Sequence, residues 1–313
     1  MNIFLRKQGL TIIFLLEKNN RWIFELYFMI RNKSELRSDG YNEAYRLARS
    51  HYENFPIASL LIPKSLRKDI SVIYWFARTA DDFSDEGNLS SNERLTILEE
   101  FENDLTSALN GEINNELIRA LVKTIKVRKL SPEHFYFLLK AFKQDAVKNR
   151  YKNFEEVLDY CKYSANPVGR IMLELINVRE VSAFNLSDRI CTALQLTNFI
   201  QDTVIDFSKG RIYYPVEEMQ KFGVTEKMFE LKENSFNLKQ LVKFSVDRTQ
   251  SFFDEGKNLV NYLSGRLKLE IAWTIKGGEM ILHKIHKSDY DVMNYRPILS
   301  KVDYMSLLLK SFF

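Results

Sequence analysis

The sequence predicts an all-α protein, and two observations carry that prediction. The chain has 313 residues with only 11 Gly and 6 Pro, whereas average usage would give about 22 and about 16. Sandwiches, barrels and Rossmann-type folds use both residues in their many turns, so the shortage disfavours those folds. From Ser38 onward, apolar residues recur at helical spacing and strand-like alternation is sparse. We therefore expect one all-α domain over 39–313, preceded by an extension over 1–38.

Local signals mark where several of these helices begin. Pro63 precedes the first long apolar segment, and Ser90 with Glu93 forms a capping-box signature. Pro132 stands at a predicted first helical position, and Asn153 is a predicted N-cap. The predicted helices cover 41–52, 64–83, 90–109, a segment from 131, a long segment from 153 interrupted near 167–169, 188–207, 234–264 and 267–287.

Composition and charge exclude several classes of protein. With 45% hydrophobic residues the chain can fill a sizeable core, which disordered and collagenous chains cannot do. The net charge of +4 is mild and no block of Lys and Arg stands out, so we expect no nucleic-acid partner. Cys161 and Cys191 are the only cysteines, which argues for a reducing compartment. No glycine-rich nucleotide fingerprint occurs, so we expect no NADPH.

Two apolar runs stand near the N-terminus. Residues 10–16 and 22–30 are separated by a charged segment, and neither reaches the ~18–20 residues needed to span a bilayer. We interpret residues 1–38 as a dispensable extension, with Met29 as a plausible true start. The alternative is an interfacial membrane anchor.

The first aspartate motif covers residues 78–85. Asp81 and Asp85 are four residues apart near the end of an apolar helix, so their carboxylates project from one face, and Arg78 lies one turn earlier. A solvated acidic helix end is the plain alternative for this motif taken alone.

The second aspartate motif covers residues 195–206. Gln195, Asn198, Asp202 and Asp206 follow one another at steps of 3, 4 and 4, which places them on one helical face among apolar neighbours. Buried carboxylates without partners are costly, and a hard divalent cation offsets that cost. Two such motifs can hold Mg²⁺ ions around a diphosphate, with cations such as Arg211 nearby for the remaining phosphate oxygens.

Taken together, these residues resemble the squalene/phytoene synthases, which join prenyl chains head to head. The motifs read Arg78-x-x-Asp81-Asp82-x-x-Asp85 and Gln195-x-x-Asn198-x-x-Gln201-Asp202-x-x-x-Asp206, and the resemblance covers about 40–302. Within the family, residues 51–59 and 296–301 are most similar to hydroxysqualene synthase of the bacterial hopanoid pathway. Two departures accompany the match: phytoene and dehydrosqualene synthases commonly have Arg where this chain has Gln201, and several relatives have Tyr near Gly278.

The resemblance implies a class I isoprenoid synthase fold with a central prenyl-binding cavity and a specific set of site residues. The implied metal ligands are Asp81, Asp85, Asn198, Asp202 and Asp206. The implied diphosphate-binding residues are His51, Asn54, Arg78, Gln201, Arg211, Tyr213 and Arg296. The implied prenyl-cavity residues are Tyr52, Phe55, Tyr74, Tyr160, Val168, Gly169, Gln195 and Gly278. Of these, the four aspartates, Arg78 and Tyr74 are the expected catalytic residues, Tyr74 because an aromatic face stabilises a carbocation.

The implied reaction is the Mg²⁺-dependent conversion of presqualene diphosphate to hydroxysqualene, with two or three Mg²⁺ ions bound alongside the substrate diphosphate. Three alternatives stay open: coupling of two farnesyl or geranylgeranyl diphosphates to presqualene diphosphate, squalene or phytoene; a non-catalytic assembly factor on the same fold; and a chain-elongating synthase. The expected location is the cytoplasm, with peripheral contact at the inner face of the membrane allowed. The expected partners are the prenyl diphosphate substrate and other enzymes of the squalene pathway.

Overall fold

The computed structural model describes residues 40–44, 63–112, 115–300 and 302–303, and within them it is helical without strands. Residues 40–44 are helical, a 3₁₀ turn at Lys64–Leu66 precedes the first long helix, and a second 3₁₀ segment at Lys257–Tyr262 lies between the last two helices. The helices in chain order are α1 (Arg67–Asp85), α2 (Ser91–Leu109), α3 (Glu116–Arg128), α4 (Glu133–Asp145), α5 (Phe154–Ser164), α6 (Asn166–Leu175), α7 (Val181–Gln201), α8 (Thr203–Ser208), α9 (Val216–Lys221), α10 (Glu226–Glu230), α11 (Phe236–Gly256) and α12 (Gly265–Lys287). The predicted all-α class is confirmed. No helix in the described part of the chain is long and apolar enough to cross a membrane.

The predicted helix start signals are present in the structure, some of them one or two residues from the predicted position. Ser90 and Glu93 form the expected capping box, in which the Ser90 N–H donates to Glu93 Oε2 at 2.8 Å. Asn153 caps α5 by accepting the N–H of Glu156 at 3.1 Å. The predicted break near 167–169 occurs at Ala165, and Pro167 then lies in the first turn of α6, where its missing N–H costs nothing. Helix α4 begins one residue after Pro132, so that proline is the N-cap.

The chain divides into two compact units. The described part of the first unit is 40–44, 63–112, 115–147 and 170–179. Its centre is α1, which packs against α2, α3 and α4 and is buried from Asp69 to Ser84. Aromatic rings fill this core: Phe76 stacks on Phe101 at 5.0 Å between ring centroids and meets Phe135 edge-on at 5.4 Å. The first aspartate motif therefore lies on a helix that is buried on all sides.

The described part of the second unit is 148–169, 180–300 and 302–303. Its centre is α7, which packs against α5, α11 and α12. Every residue of α7 from Ile190 to Gln201 is buried. Close helix crossings allow this packing, because a Cβ on Gly256 would lie only 2.7 Å from Ile190 Cδ1. The second aspartate motif begins on this central helix.

Candidate active site

In the first aspartate motif, Arg78 is paired within its own helix. Its Nη1 lies 3.1 Å from Asp81 Oδ2, and its Nη2 lies 2.5 Å from Asp82 Oδ1. All three side chains are buried. Asp85 lies at the C-terminal end of α1 and is half-buried. The structure therefore gathers one guanidinium and two carboxylates at the buried part of the motif and leaves Asp85 nearer the surface.

Asp82 is the residue of this motif that sequence reasoning left without a role. Burial raises the pKa of Asp82 to about 8, and the charge on Asp81 adds to the rise while Arg78 opposes it. Only 1% of the residue is exposed. Tyr74 lies two turns earlier on α1 and is 3% exposed. The Asp81-Asp82 doublet was the available signal, but spacing alone does not assign a role to each of the two carboxylates.

The second aspartate motif continues along one helical face although α7 ends within it. The backbone N–H of Asp202 donates to the Asn198 carbonyl at 2.8 Å, and that of Asp206 donates to the Asp202 carbonyl at 2.8 Å. These bonds keep the helical i to i−4 register across the junction of α7 and α8. Asn198, Asp202 and Asp206 are all buried, at 8%, 1% and 3% exposed. The arrangement expected from the spacing is present.

Positive charge reaches this motif from two places in the chain. Arg296 Nε donates to Asp202 Oδ1 at 2.5 Å, although the two residues are 94 positions apart. Arg211 is buried, and its backbone N–H donates to the Asp206 carbonyl at 2.9 Å. Burial raises the pKa of Asp206 well above its usual value, and the nearby Asp202 adds to that effect while Arg211 opposes it. Burial therefore disfavours the charged form of Asp206 even with Arg211 nearby.

The loop that follows the second motif is fixed by the segment before α5. The Ile212 N–H donates to the Asn149 carbonyl at 3.1 Å. Arg150 donates to the Gly210 carbonyl at 2.6 Å and pairs with both carboxylate oxygens of Glu226 at 2.7 Å each. Gly210 has φ +78°, a left-handed conformation that glycine adopts without strain. Arg150 was not identified from the sequence, since no motif contains it.

Four aromatic rings pack together beside this loop, and two of them belong to residues expected at the site from the sequence. Tyr213 stacks on Phe199 with ring centroids 3.6 Å apart and planes at 16°. Tyr151 stacks on the same tyrosine at 5.5 Å, and Tyr160 lies 6.0 Å from it. All four residues are buried. Tyr213, predicted to bind diphosphate, is thus in the same cluster as Tyr160, which was predicted to line the prenyl cavity.

Two glycines of the predicted prenyl cavity lie at tight helix contacts. A Cβ on Gly169 would lie 2.5 Å from Cys191 Sγ and would also collide with Ser187. A Cβ on Gly278 would lie 2.9 Å from Leu194 Cδ2 and closer still to Phe253 Cζ. Both glycines therefore allow close packing against α7.

The other predicted cavity residues have varied surroundings. Gln195 is fully buried, and its amide makes no hydrogen bond to any residue that the structure describes. Val168 is half-buried. His51, Tyr52, Asn54 and Phe55 lie outside the described residues.

A cleft in the second unit has a volume of about 320 Å³, counted out to open solvent. It is lined mainly by apolar and aromatic side chains, and Tyr213 is the one predicted site residue among its lining residues. None of the predicted cavity residues that the structure describes contributes to it. The central prenyl-binding cavity stays a prediction.

The donors of the second motif fit a hard divalent cation. The Oδ2 atom of Asp206 is buried without a hydrogen-bond partner among the described residues. Among the described residues, no group of three or more His, Cys, Asp or Glu side chains has metal-binding geometry. The second motif by itself offers two carboxylates and the Asn198 amide. Mg²⁺ typically takes one or two carboxylates and completes its shell with water and phosphate oxygens.

Comparison with known proteins relates this chain to one family. The profile of the squalene/phytoene synthase family matches residues 48–303. The chain is 34% identical over 239 residues to hydroxysqualene synthase from Zymomonas mobilis, which covers 76% of this chain and 80% of that protein. The crystal structure of squalene synthase HpnC from Alicyclobacillus acidocaldarius is 36% identical, with a TM-score of 0.75 over 80% of this chain and 94% of that one. A dehydrosqualene synthase in complex with ligand is 22% identical, with a TM-score of 0.76 over 93% and 98%, and shows the fold alone.

Proposed function

The chain belongs to the squalene/phytoene synthase family, whose members are enzymes that act on prenyl diphosphates, and from that premise we propose that it converts presqualene diphosphate to hydroxysqualene. The observation that carries the proposal is the second aspartate motif, where Asp202 and Asp206 are buried on one face beside Arg211 and Arg296. Such a site suits a ligand that brings its own cations, as a magnesium diphosphate does. The identity to hydroxysqualene synthases supports this reaction within the family.

In the proposed reaction the residues of the chain bind the leaving group and shelter a cation. Asp81 and Asp85 of the first motif and Asn198, Asp202 and Asp206 of the second would hold Mg²⁺, which neutralises charge developing on the diphosphate. Arg211 and Arg296 add positive charge for the phosphate oxygens. Arg78 of the first motif would add positive charge for the same diphosphate.

The covalent change in the substrate needs only water as a co-reactant. The carbon–oxygen bond to diphosphate breaks with its electron pair on the leaving oxygen, and the cyclopropylcarbinyl cation rearranges to open its ring. Water then forms the new carbon–oxygen bond and gives up a proton, with the released diphosphate as the proposed base. The faces of Tyr74 and Tyr160 would stabilise positive charge on that cation. No reductant enters this scheme.

The deciding assay is incubation of the full chain with presqualene diphosphate and Mg²⁺ in ¹⁸O-labelled water, with and without NADPH. We expect an alcohol that carries the label and a rate that NADPH does not change. Reduced squalene formed only when NADPH is present, or an unlabelled product, would contradict the proposal. Parallel incubation with farnesyl diphosphate tests the coupling reactions.

The metal assignment predicts that Asp81→Asn and Asp202→Asn each lower turnover on the order of 10²-fold or more, because each removes stabilisation of transition-state charge. Circular dichroism should show unchanged helix content. The matched control is Asp247→Asn, which removes an exposed carboxylate that pairs with Lys243 at 2.7 Å, and it should leave turnover within about twofold. Near wild-type activity of either motif variant at saturating Mg²⁺ would exclude that aspartate as a ligand.

A further inference from the structure

Residues 288–300 form an irregular segment after α12, which we call the C-terminal strap. Its first part is held by local contacts: Asp289 pairs with Lys239 at 2.6 Å, and Asp291 Oδ1 accepts the N–H groups of Met293 and Asn294 at 3.2 and 3.0 Å. Met293 is buried. This end of the strap is therefore fixed to the body of the second unit before the chain reaches Arg296.

The far end of the strap is held as firmly. The Ser300 N–H donates to Asp303 Oδ2 at 2.6 Å, and Lys284 of α12 pairs with the same carboxylate at 2.6 Å. Leu299 is buried beside this contact. Both ends are thus anchored independently of the second aspartate motif, and the middle of the strap passes over that motif.

Two hydrogen bonds join the middle of the strap to the motif. The Nε2 of Gln201 donates to the Pro297 carbonyl at 2.6 Å, and Arg296 Nε donates to Asp202 Oδ1 at 2.5 Å. Gln201 is 7% exposed, so the bond that it makes is shielded from water. Proline has no backbone N–H and restricts the residue before it to extended conformations. The Pro297 carbonyl is therefore the backbone group through which Gln201 holds the strap next to Arg296.

We propose that Gln201 is a positioning residue whose amide fixes the strap so that the Arg296 guanidinium stays at Asp202. The inference rests on the proposed function in one respect, namely that Arg296 binds a magnesium diphosphate at this motif. It differs from the direct diphosphate contact expected from the sequence, because the Gln201 amide donates to the backbone of the strap. Without that amide a shielded carbonyl loses its donor, and the strap gains freedom to move Arg296 away from Asp202.

The experiment combines Gln201→Met, Arg296→Met and the double variant with two measurements. Methionine is close to glutamine in length and has no donor, so the first variant removes the hydrogen bond and little volume. Hydrogen–deuterium exchange of a peptide spanning 292–300 reports the freedom of the strap, and calorimetry with inorganic diphosphate and Mg²⁺ reports the site. We expect Gln201→Met to speed strap exchange and to weaken diphosphate binding, each about tenfold, as loss of one shielded hydrogen bond implies.

The double variant separates positioning from direct contact. If Gln201 acts through Arg296, Gln201→Met should change diphosphate binding by less than about twofold once Arg296 is already methionine. The proposal would be overturned if the two single losses of diphosphate affinity multiplied in the double variant. It would also be overturned if strap exchange in Gln201→Met were unchanged. Gln201→Asn, which is too short to reach Pro297, repeats the test with a polar side chain if the methionine variant folds poorly.

A matched control and an independent readout keep the outcomes distinct. Gln250→Met makes the same replacement at a glutamine that donates to Glu279 at 3.2 Å, and it should leave strap exchange and diphosphate binding within about twofold. If the wild-type chain fails to bind magnesium diphosphate, the proposed function fails. Strap exchange in Gln201→Met still decides in that case whether Gln201 holds the strap.

Discussion

Replacing Gly278 with alanine tests whether this glycine provides room for substrate or room for a neighbouring helix. An added Cβ would lie 2.9 Å from Leu194 Cδ2 and 3.0 Å from Phe253 Cε1, and closer still to Phe253 Cζ. Phe253 is fully buried, so its ring has no solvent into which it can turn. The structure therefore predicts that alanine overpacks the contact of α12 with α7 and α11.

The expected magnitude follows from two opposing effects. Overpacking a well-packed core costs about 1–3 kcal/mol, while exchanging glycine for alanine inside a helix gains about 1 kcal/mol. Because the fully buried ring cannot move away, we place the strain in the upper part of its range and expect Gly278→Ala to lose about 1–2 kcal/mol of unfolding free energy. That loss corresponds to a fall in Tm of about 2–8 °C.

Thermal unfolding of four proteins measures this effect: the wild type, Gly278→Ala, Phe253→Leu and the double variant. Leucine at 253 removes the ring atoms that meet the new Cβ. The unfolding free energy of the double variant should therefore exceed the value expected from adding the two single changes by about 1 kcal/mol or more. A Tm for Gly278→Ala equal to or above the wild type would refute the reasoning, since helix propensity alone would then be acting. Additive single effects would refute it as well.

Two further predictions concern one polar cluster in each of the two units. Burial raises the pKa of Glu174, but contact with His134, the Ser131 N–H and the charge of Arg179 outweigh that effect and bring the pKa below 4.5. Glu174→Gln should therefore lower the Tm at pH 7. The difference in Tm between wild type and variant, measured by thermal unfolding across pH, should vanish as the pH falls below about 4.5. Arg150→Met should lose about 1–2 kcal/mol of unfolding free energy and raise KM more than it lowers kcat, because the Gly210 loop loses the hydrogen bond that holds it. An unchanged KM in steady-state kinetics would contradict this role of Arg150.

Much of the fold follows from local spacing, and so do the two motifs. The capping box at Ser90 needs only two residues three positions apart, and the common face of Asn198, Asp202 and Asp206 needs only the helical period. Where spacing failed, the cause was burial. Helix α1 is buried from Asp69 to Ser84, so it has no exposed polar face that would separate Asp82 from its neighbours, and Asp82 received no role.

The contacts that complete the second motif depend on tertiary packing. Arg296 meets Asp202 across 94 positions, and the local sequence around either residue does not specify that distance. The resemblance to a family predicted Arg296 as a diphosphate-binding residue but gave no protein partner for it. Arg150 has no motif at all, and only the fold shows that it holds the carbonyl of Gly210.

Gln201 and Gly278 are the two positions where this chain departs from relatives that have Arg and Tyr there. In the structure each has a local partner: Gln201 holds the Pro297 carbonyl, and Gly278 makes room for Phe253 and Leu194. Because each residue meets a packing or hydrogen-bonding need, neither departure by itself argues for an alcohol. Replacing Gly278 with tyrosine would disturb helix packing before it reshaped a substrate cavity. The case for water capture therefore depends on the similarity to hydroxysqualene synthases and on the ¹⁸O label.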